Sequence, residues 1–264
     1  MKTLPSYVFR FLLYGVLVAP LLLFGIYAFS ERWFFPQLIP TEWTSAPFTR
    51  LLTDPRSLAG LGVSLGIAAF VSFLSLLIGF PAARVLGLRT FRGRQLAWLA
   101  FFLPTVVPPL AVGMGLNILF LKFGLAGTIV GVILAHLVPT LPYTVFTLSG
   151  VFARYDDNFE YQALVLGSNP TQILFTVTLR LILPGLVVAG LFAFLISWSQ
   201  YLLTLLIGGG QVLTLPMLLF SAVSGGNPGT IAALALLFVA PPVLVIAVTA
   251  RYLDQHGETI REQY

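Results

Sequence analysis

The chain has 264 residues, of which 58% are hydrophobic and only 9% are charged, and its mean hydropathy is +0.97. This composition is typical of a protein with several membrane spans. The absence of cysteine excludes a disulfide scaffold, a thiolate metal site and a cysteine nucleophile. The net charge of +5 does not indicate a nucleic-acid partner, because the cationic residues are scattered beside apolar runs and form no basic stripe.

Charge-free intervals predict an all-α protein with six membrane spans, since a helix needs about 20 apolar residues to cross the hydrocarbon. Four intervals hold one span each: Phe11 to Phe29, Ser57 to Ala83, Gln95 to Leu121 and Phe123 to Ala153. The uncharged stretch between Arg180 and Arg251 is long enough for two more, which flank a loop with glycine clusters at 208–210 and 225–228. A cleaved signal peptide is the alternative for the first interval, although that interval is longer than the roughly 7–15 apolar residues of such a peptide.

The distribution of cations predicts the orientation of these spans. With the N-terminus inside, the ten cations on the inner side are Lys2, Arg10, Arg84, Arg89, Arg92, Arg94, Arg154, Arg180, Arg251 and Arg261. The four on the outer side are Arg32, Arg50, Arg56 and Lys122. This positive-inside bias places both termini and the segment 154–183 in the cytoplasm. We expect a first span with an outer segment at 1–56, a core domain at 57–253 and a cytoplasmic tail at 254–264.

Segment 154–183 has the start and stop signals of two helices joined by a sharp turn, the elbow. Asp157 followed by Glu160 predicts a capping box at the start of the first helix. An apolar stripe of Phe159, Ala163, Leu166 and Pro170 follows at helical spacing, and Gly167 predicts the end of that helix.

The second helix of the segment is predicted to begin directly after the elbow. Asn169 is its expected cap, Pro170 suits its first turn, and Gln172 stands at the reciprocal capping position. This helix leads into the fifth span. Such a module favours a docking surface, whereas a loop that simply lies on the membrane is the alternative.

The same stretch, EYQALVLGSNPTQILFTVTLRLILP, resembles the EAA loop of permease subunits of type I binding-protein-dependent ABC importers. Ala163, Gly167, Val177 and Leu179 match positions of that signature. Its glutamate, first alanine and final proline are replaced, in that order, by Tyr161, Gln162 and Arg180. The stretches LPTVVPPL, GTIVGVILAHLVPTLPYTV and LIGGGQVLTLPMLLFSAV are similar to the polyamine-type branch of these permeases.

The resemblance implies a multi-pass permease of the bacterial inner membrane that works by alternating access, pairs with a second permease and receives a polyamine or similar small organic solute from an extracytoplasmic binding protein. It implies two separate ATPase subunits that bind ATP and Mg, with no cofactor or metal on this chain. The residues expected to contact an ATPase are Asp157, Phe159, Glu160, Tyr161, Ala163, Leu166, Gly167, Ser168, Asn169 and Pro170.

Motifs for chemistry are missing from the sequence. Neither lysine lies in a phosphate-binding GxxxxGK[ST] loop, so we expect ATP hydrolysis on another chain. No acidic residue falls in a predicted span, which disfavours a proton- or sodium-coupled carrier. His136 is interpreted as a histidine that hydrogen-bonds within the bundle. A secondary carrier or channel is the alternative function, as is an ABC importer for a sugar, iron, phosphonate or thiamine; a membrane-bound enzyme is a third.

Polar residues in two predicted spans are candidates for the translocation pathway. Their alternative role is packing with hydrogen bonds between helices, because polar groups in a span are costly unless they face other helices or water. The candidates are Asn117, Ser197, Trp198, Gln200 and Tyr201.

The cation asymmetry generates a topology prediction. A reporter fused at Gly93 or after Tyr264 should be active only as a cytoplasmic reporter, and one fused at Gly209 only as an external reporter. A cytoplasmic signal at Gly209 would contradict the six-span arrangement.

Overall fold

The computed structural model describes residues 4–31, 33 and 36–261, with the side chains of 4–8, 17 and 256–261 left aside. Over these residues the regular elements are helices, and the Ser30–Trp43 contact is an isolated β-bridge. The twelve α-helices are α1 Leu4–Ala28, α2 Ala46–Thr53, α3 Pro55–Leu88, α4 Arg94–Val106, α5 Pro109–Lys122, α6 Ile129–Phe152, α7 Asn158–Val165, α8 Pro170–Ile173, α9 Leu179–Trp198, α10 Leu202–Gly208, α11 Leu215–Gly225 and α12 Pro228–Arg261. A π-helical turn, Leu174–Thr178, joins α8 to α9.

The chain divides into two compact units. One comprises the residues up to Val63 together with Leu213–Val243, and the other comprises Ser64–Val212 together with the residues from Leu244 onward. The module at 154–183 and the pathway candidates all lie in the second unit.

In the first unit, the segment that follows α1 is held by local contacts. Phe29 stacks on Phe48 with ring centroids 4.9 Å apart, next to the Ser30–Trp43 bridge. Asp54 accepts hydrogen bonds from the hydroxyl and the backbone N–H of Ser57, and these bonds lower the pKa of its carboxyl. The carboxylate therefore caps α3 in its charged form.

The core of the second unit lies where α3, α6 and α9 meet. Each of these helices contributes small or branched apolar side chains that are almost fully shielded from solvent, which is the arrangement expected of a stable helix bundle. The buried cluster consists of Ala83, Leu86, Val145, Leu148, Phe152, Ile182 and Ala189.

Five helical stretches are long and apolar enough to cross a membrane, and the count rises to six if α4 and α5 form one span. The third predicted span is not one continuous helix, because α4 and α5 meet at 99°. The bend follows from Pro108 and Pro109: the residue before a proline is driven out of the helical region, and Val107 and Pro108 have ψ angles of 133° and 130°.

Gly87 lies within α3, whereas the sequence places it in the cytoplasmic loop at 84–94, where we expect a valine to have a milder effect than at Gly167. A Cβ atom there would lie 2.5 Å from Cβ of Phe152 and 2.8 Å from the backbone oxygen of Ser149. Because a backbone atom cannot move aside as a flexible side chain can, a larger residue would force α3 and α6 apart. These contacts argue against the milder effect expected of Gly87→Val.

Candidate coupling site

Helix α7 begins where the sequence predicts, but the predicted capping box does not form. Asp157 occupies the N-cap position with φ −73° and ψ −8°, and its side chain caps no backbone amide. Helical φ and ψ at a cap turn the side chain away from the first amides, which require an extended cap residue. Glu160, the expected reciprocal partner, points instead into the helix bundle.

The end of α7 agrees with the sequence. Gly167 has φ +88°, the N–H of Gly167 donates to the carbonyl of Leu164, and the N–H of Ser168 donates to the carbonyl of Ala163 at 3.0 Å. This pair of bonds is a Schellman motif, which requires a left-handed residue and therefore favours glycine. Nothing lies within 4 Å of the place where a Cβ would stand, so backbone conformation alone selects glycine here.

The elbow continues into a second cap, as predicted. The side-chain oxygen of Asn169 accepts from the N–H of Gln172 at 2.8 Å, and the side-chain oxygen of Gln172 accepts from the N–H of Asn169 at 2.9 Å. Pro170 occupies the first helical position. The path from α7 to α8 is thus fixed by two reciprocal motifs and does not depend on contacts with a partner.

One face of α7 is apolar and open. Val165 and Leu166 are 88% and 85% exposed, and Tyr161 is 52% exposed. Together with Asp156, Asn158 and Gln162 these residues line a wide depression on the surface. Of the predicted stripe, Phe159 and Leu166 are exposed whereas Ala163 is half-buried. The open face is therefore centred on the C-terminal turn of α7.

The opposite side of α7 carries a carboxylate with three donors. Glu160 Oε2 accepts from Arg84 Nη2 of α3 at 2.5 Å, and Oε1 accepts from the hydroxyls of Tyr155 at 2.9 Å and Thr178 at 2.7 Å. The Glu160 side chain is 13% exposed and that of Arg84 is 34% exposed. We call these four residues the Glu160 cluster.

Two members of the cluster, Tyr155 and Thr178, are packed against or buried in the core. The ring of Tyr155 packs edge-on against Phe152 with centroids 5.9 Å apart, and burial raises the pKa of the Tyr155 hydroxyl to about 12. That hydroxyl therefore stays protonated and donates at every physiological pH. Thr178 is fully buried at the end of the π-helical turn. Turns of this type recur at functional sites in helices.

Sequence reasoning assigned no role at this site to Arg84, Tyr155 or Thr178. Arg84 counted only as one of the inner cations, and Thr178 comes from a turn that no local pattern indicates. The five-residue spacing of Tyr155 and Glu160 is a weak signal, since Tyr155 lies between α6 and α7. The cluster depends on tertiary packing that brings α3 to α7.

The pathway candidates fall into two groups. Ser197 and Trp198 are buried at the end of α9, where Trp198 stacks on Phe194. Gln200 and Tyr201 are half-buried in the break between α9 and α10, and Asn117 is half-buried on α5. The structure thus places the first pair inside the packed bundle and the other three at partly accessible positions.

His136 is hydrogen-bonded within the bundle, as the sequence interpretation expects. Its Nδ1 lies 3.0 Å from Ser197 Oγ and its Nε2 lies 2.9 Å from Thr204 Oγ1. The Thr204 hydroxyl already donates to the carbonyl of Gln200. A hydroxyl has one proton, so Thr204 accepts from Nε2–H and Ser197 donates to Nδ1. His136 therefore fastens α9 and α10 on both sides of their break.

Among the described residues, no group of three or more histidine, aspartate or glutamate side chains could hold a metal ion. The polar centres of the second unit are hydrogen-bond networks. What the module offers is a rigid exposed face on one side and an anchored carboxylate on the other.

Curated proteins similar to this chain are membrane permeases. The chain is 30% identical to the putrescine transport system permease protein PotI of Escherichia coli strain K12, over 93% of the chain and 89% of PotI. It is 32% identical to the molybdenum transport system permease protein ModB of Mycobacterium tuberculosis, over 81% and 86%. It is 30% identical to the putative 2-aminoethylphosphonate transport system permease protein PhnV of Salmonella typhimurium, over 90% of each.

Solved structures support the same fold. A bacterial ABC transporter involved in the import of the acidic polysaccharide alginate has a chain that matches 96% of this one, with 99% of its own length covered, a TM-score of 0.74 and 17% identity. The family model described as binding-protein-dependent transport system inner membrane component matches residues 75–256. The chain therefore belongs to the binding-protein-dependent transport system inner membrane components, the permease subunits of ABC importers.

Proposed function

We propose that this chain forms one half of a translocation pathway and drives it through α7, which docks on a separate ATPase subunit at the cytoplasmic face of a bacterial inner membrane. The observation that carries the proposal is the rigid, exposed apolar face of α7. The working transporter contains a second permease, two ATPase subunits that bind ATP and Mg, and an extracytoplasmic binding protein.

The exposed side chains of α7 support a protein partner over a connecting loop. Val165 and Leu166 stand almost free of contacts at the tip of a capped helix. Burial of such side chains contributes about 1.5–3 kcal/mol each, and the Schellman motif and the capping box set their position before any partner binds. Preorganisation of this kind lowers the entropic cost of docking.

The pathway proposal rests on the three partly accessible candidates. Gln200, Tyr201 and Asn117 are polar and half-buried, as expected of side chains beside a pathway between two permeases. Ser197 and Trp198 support them from within the bundle, Ser197 through its bond to His136. We therefore propose contact with solute for the first three and packing roles for the last two.

The substrate we propose is a polyamine or a similar small organic solute. The support is the match to PotI, which extends over 93% of the chain. The relatives at similar identity carry names for putrescine, molybdenum and 2-aminoethylphosphonate transport, solutes whose charges differ. The charge-free intervals that are predicted to cross the membrane contain no acid that would select a cation. We propose that the binding protein, rather than this chain, selects the solute.

The docking role predicts a strong effect of Gly167→Val. A β-branched residue with positive φ costs about 1–2 kcal/mol or more, so the elbow would change direction and α7 would present a different face. We expect near-normal insertion in the membrane, at least a tenfold loss of transport, and loss of ATPase from the purified complex. Uptake, protein level and copurified ATPase are the measurements.

Gly93→Val is the matched control for that substitution. Gly93 has φ +90°, nothing lies within 4 Å of its Cβ position, and it precedes α4 in the other predicted cytoplasmic loop. The local strain is thus the same but the docking face is untouched, and we expect ATPase binding to persist. Full transport by a well-inserted Gly167→Val protein would show that α7 is a connector without a docking role.

The substrate proposal has its own test. Membrane vesicles that contain the complete transporter should accumulate labelled putrescine upon addition of ATP and binding protein, and excess molybdate or 2-aminoethylphosphonate should not compete. ATP-driven uptake of either competitor in place of putrescine would overturn the polyamine assignment and leave the importer function intact.

A further inference from the structure

We propose that Glu160 is a positioning residue, whose carboxylate ties α7 to α3 and to the start of α9 so that displacement of α7 moves the membrane helices. This inference rests on the proposed docking role of α7. The expected role of Glu160, direct contact with an ATPase, does not fit the position of its side chain.

The Glu160 side chain points towards the helix bundle. Glu160 lies on the bundle side of α7 and is 13% exposed, whereas the neighbouring Tyr161 lies on the open face at 52%. Both carboxylate oxygens are already occupied by donors from this chain. A partner that bound Glu160 would first have to displace Arg84 or the two hydroxyls.

The three donors to Glu160 come from separate parts of the chain. Arg84 belongs to α3, Tyr155 follows α6, and Thr178 ends the π-helical turn that opens α9. One charged group therefore collects hydrogen bonds from three helix ends. Charge-assisted bonds are stronger than neutral ones and depend on geometry, so they resist relative movement of the parts that they join.

Two of the residues that donate to Glu160 are packed against the core. Tyr155 packs on Phe152, which packs on Phe80 of α3 with ring centroids 5.5 Å apart. Thr178 is fully buried, and the helix that follows it contributes Ile182 and Ala189 to the core. A displacement of α7 by a partner that binds Val165 or Leu166 therefore acts, through Glu160, on packed side chains rather than on a flexible loop.

The test uses substitutions that remove single donors and keep side-chain shape. Thr178→Val removes the hydroxyl that binds Glu160. Thr176→Val makes the same change two residues away, at an exposed hydroxyl that bonds only to the carbonyl of Gln172. Tyr155→Phe and Glu160→Gln remove a second donor and the charge. Each variant is purified as the complete transporter through a tag on this chain.

Two quantities are measured on each complex: ATP hydrolysis, and the rate at which maleimide labels a cysteine introduced by Ser199→Cys. The natural chain has no cysteine, so the label on this subunit reports only on the exposed break between α9 and α10. MgATP with vanadate serves as the probe that drives the cycle, and no solute is needed.

We expect nucleotide to change the labelling rate by roughly fivefold or more in the Thr176→Val and otherwise unaltered complexes, as a typical coupling energy requires. In Thr178→Val, Tyr155→Phe and Glu160→Gln the change should shrink severalfold, while ATPase remains bound and active. A merely structural role would lower complex yield and hydrolysis together and leave the nucleotide response of the surviving complex intact.

A tether supplies the rescue experiment. Arg84→Cys combined with Glu160→Cys, in the Ser199→Ala background and read by transport, should lose coupling when the thiols are free and regain it when a short bifunctional reagent joins them. Efficient cross-linking without recovery of transport would overturn the positioning role of Glu160.

The outcomes separate the two proposals. If the unaltered chain copurifies with no ATPase, or its labelling rate does not change with nucleotide, the docking function is wrong. The positioning role of Glu160 is then wrong as well. If nucleotide changes the labelling rate equally in the unaltered and the Thr178→Val complexes, the docking function stands and the positioning role of Glu160 is wrong. Loss of ATPase from the Glu160→Gln complex, with ATPase retained in the Thr178→Val and Tyr155→Phe complexes, would restore direct contact as the role of Glu160.

Discussion

The Glu160 carboxylate is the interaction that links α7 to the membrane helices. A helix of eight residues is too short to be stable alone, so its place must be set by contacts outside itself. Glu160 provides them through Arg84, Tyr155 and Thr178, and it does so from the side of the helix that faces away from the open apolar residues. This division of α7 into an anchored side and a free side is the feature on which the proposed coupling role depends.

Proline and glycine govern the remaining architecture in two different ways. Pro108 and Pro109 break the third predicted span into two helices at 99°, because the chain cannot continue helically into a proline pair. Gly87 permits the opposite, a close approach of α3 to α6 that fixes the anchor of Arg84. Where α9 and α10 separate, His136 holds both ends through Ser197 and Thr204.

The parts of the fold that sequence predicted are those that local chemistry decides. Apolar length gave the spans, Gly167 gave the end of α7, and Asn169 with Gln172 gave the second cap, since each depends on residues a few positions apart. The capping role of Glu160 was predicted wrongly because a stronger partner, Arg84, arrives from 76 positions earlier in the chain. No local pattern contains that competition.

The same limit explains the candidate site. Exposed Val165 and Leu166 lie beside the predicted stripe, and their exposure follows from how α7 sits on α8 and the π-helical turn. Polar residues in the spans could be found from sequence, but only tertiary structure separates Ser197, which pairs with His136, from the more accessible Gln200. Burial depends on how the helices pack together, so the sequence alone does not predict which of these polar side chains are buried.

A cryo-electron microscopy structure of the complete transporter, purified through this chain, tests the central claim most directly. The account predicts that Val165 and Leu166 are buried against an ATPase subunit while Glu160 remains bound to Arg84 and Thr178, both without nucleotide and with MgATP and vanadate. An α7 that lies against lipid, or a Glu160 carboxylate that turns outward to a cation of the ATPase, would contradict it.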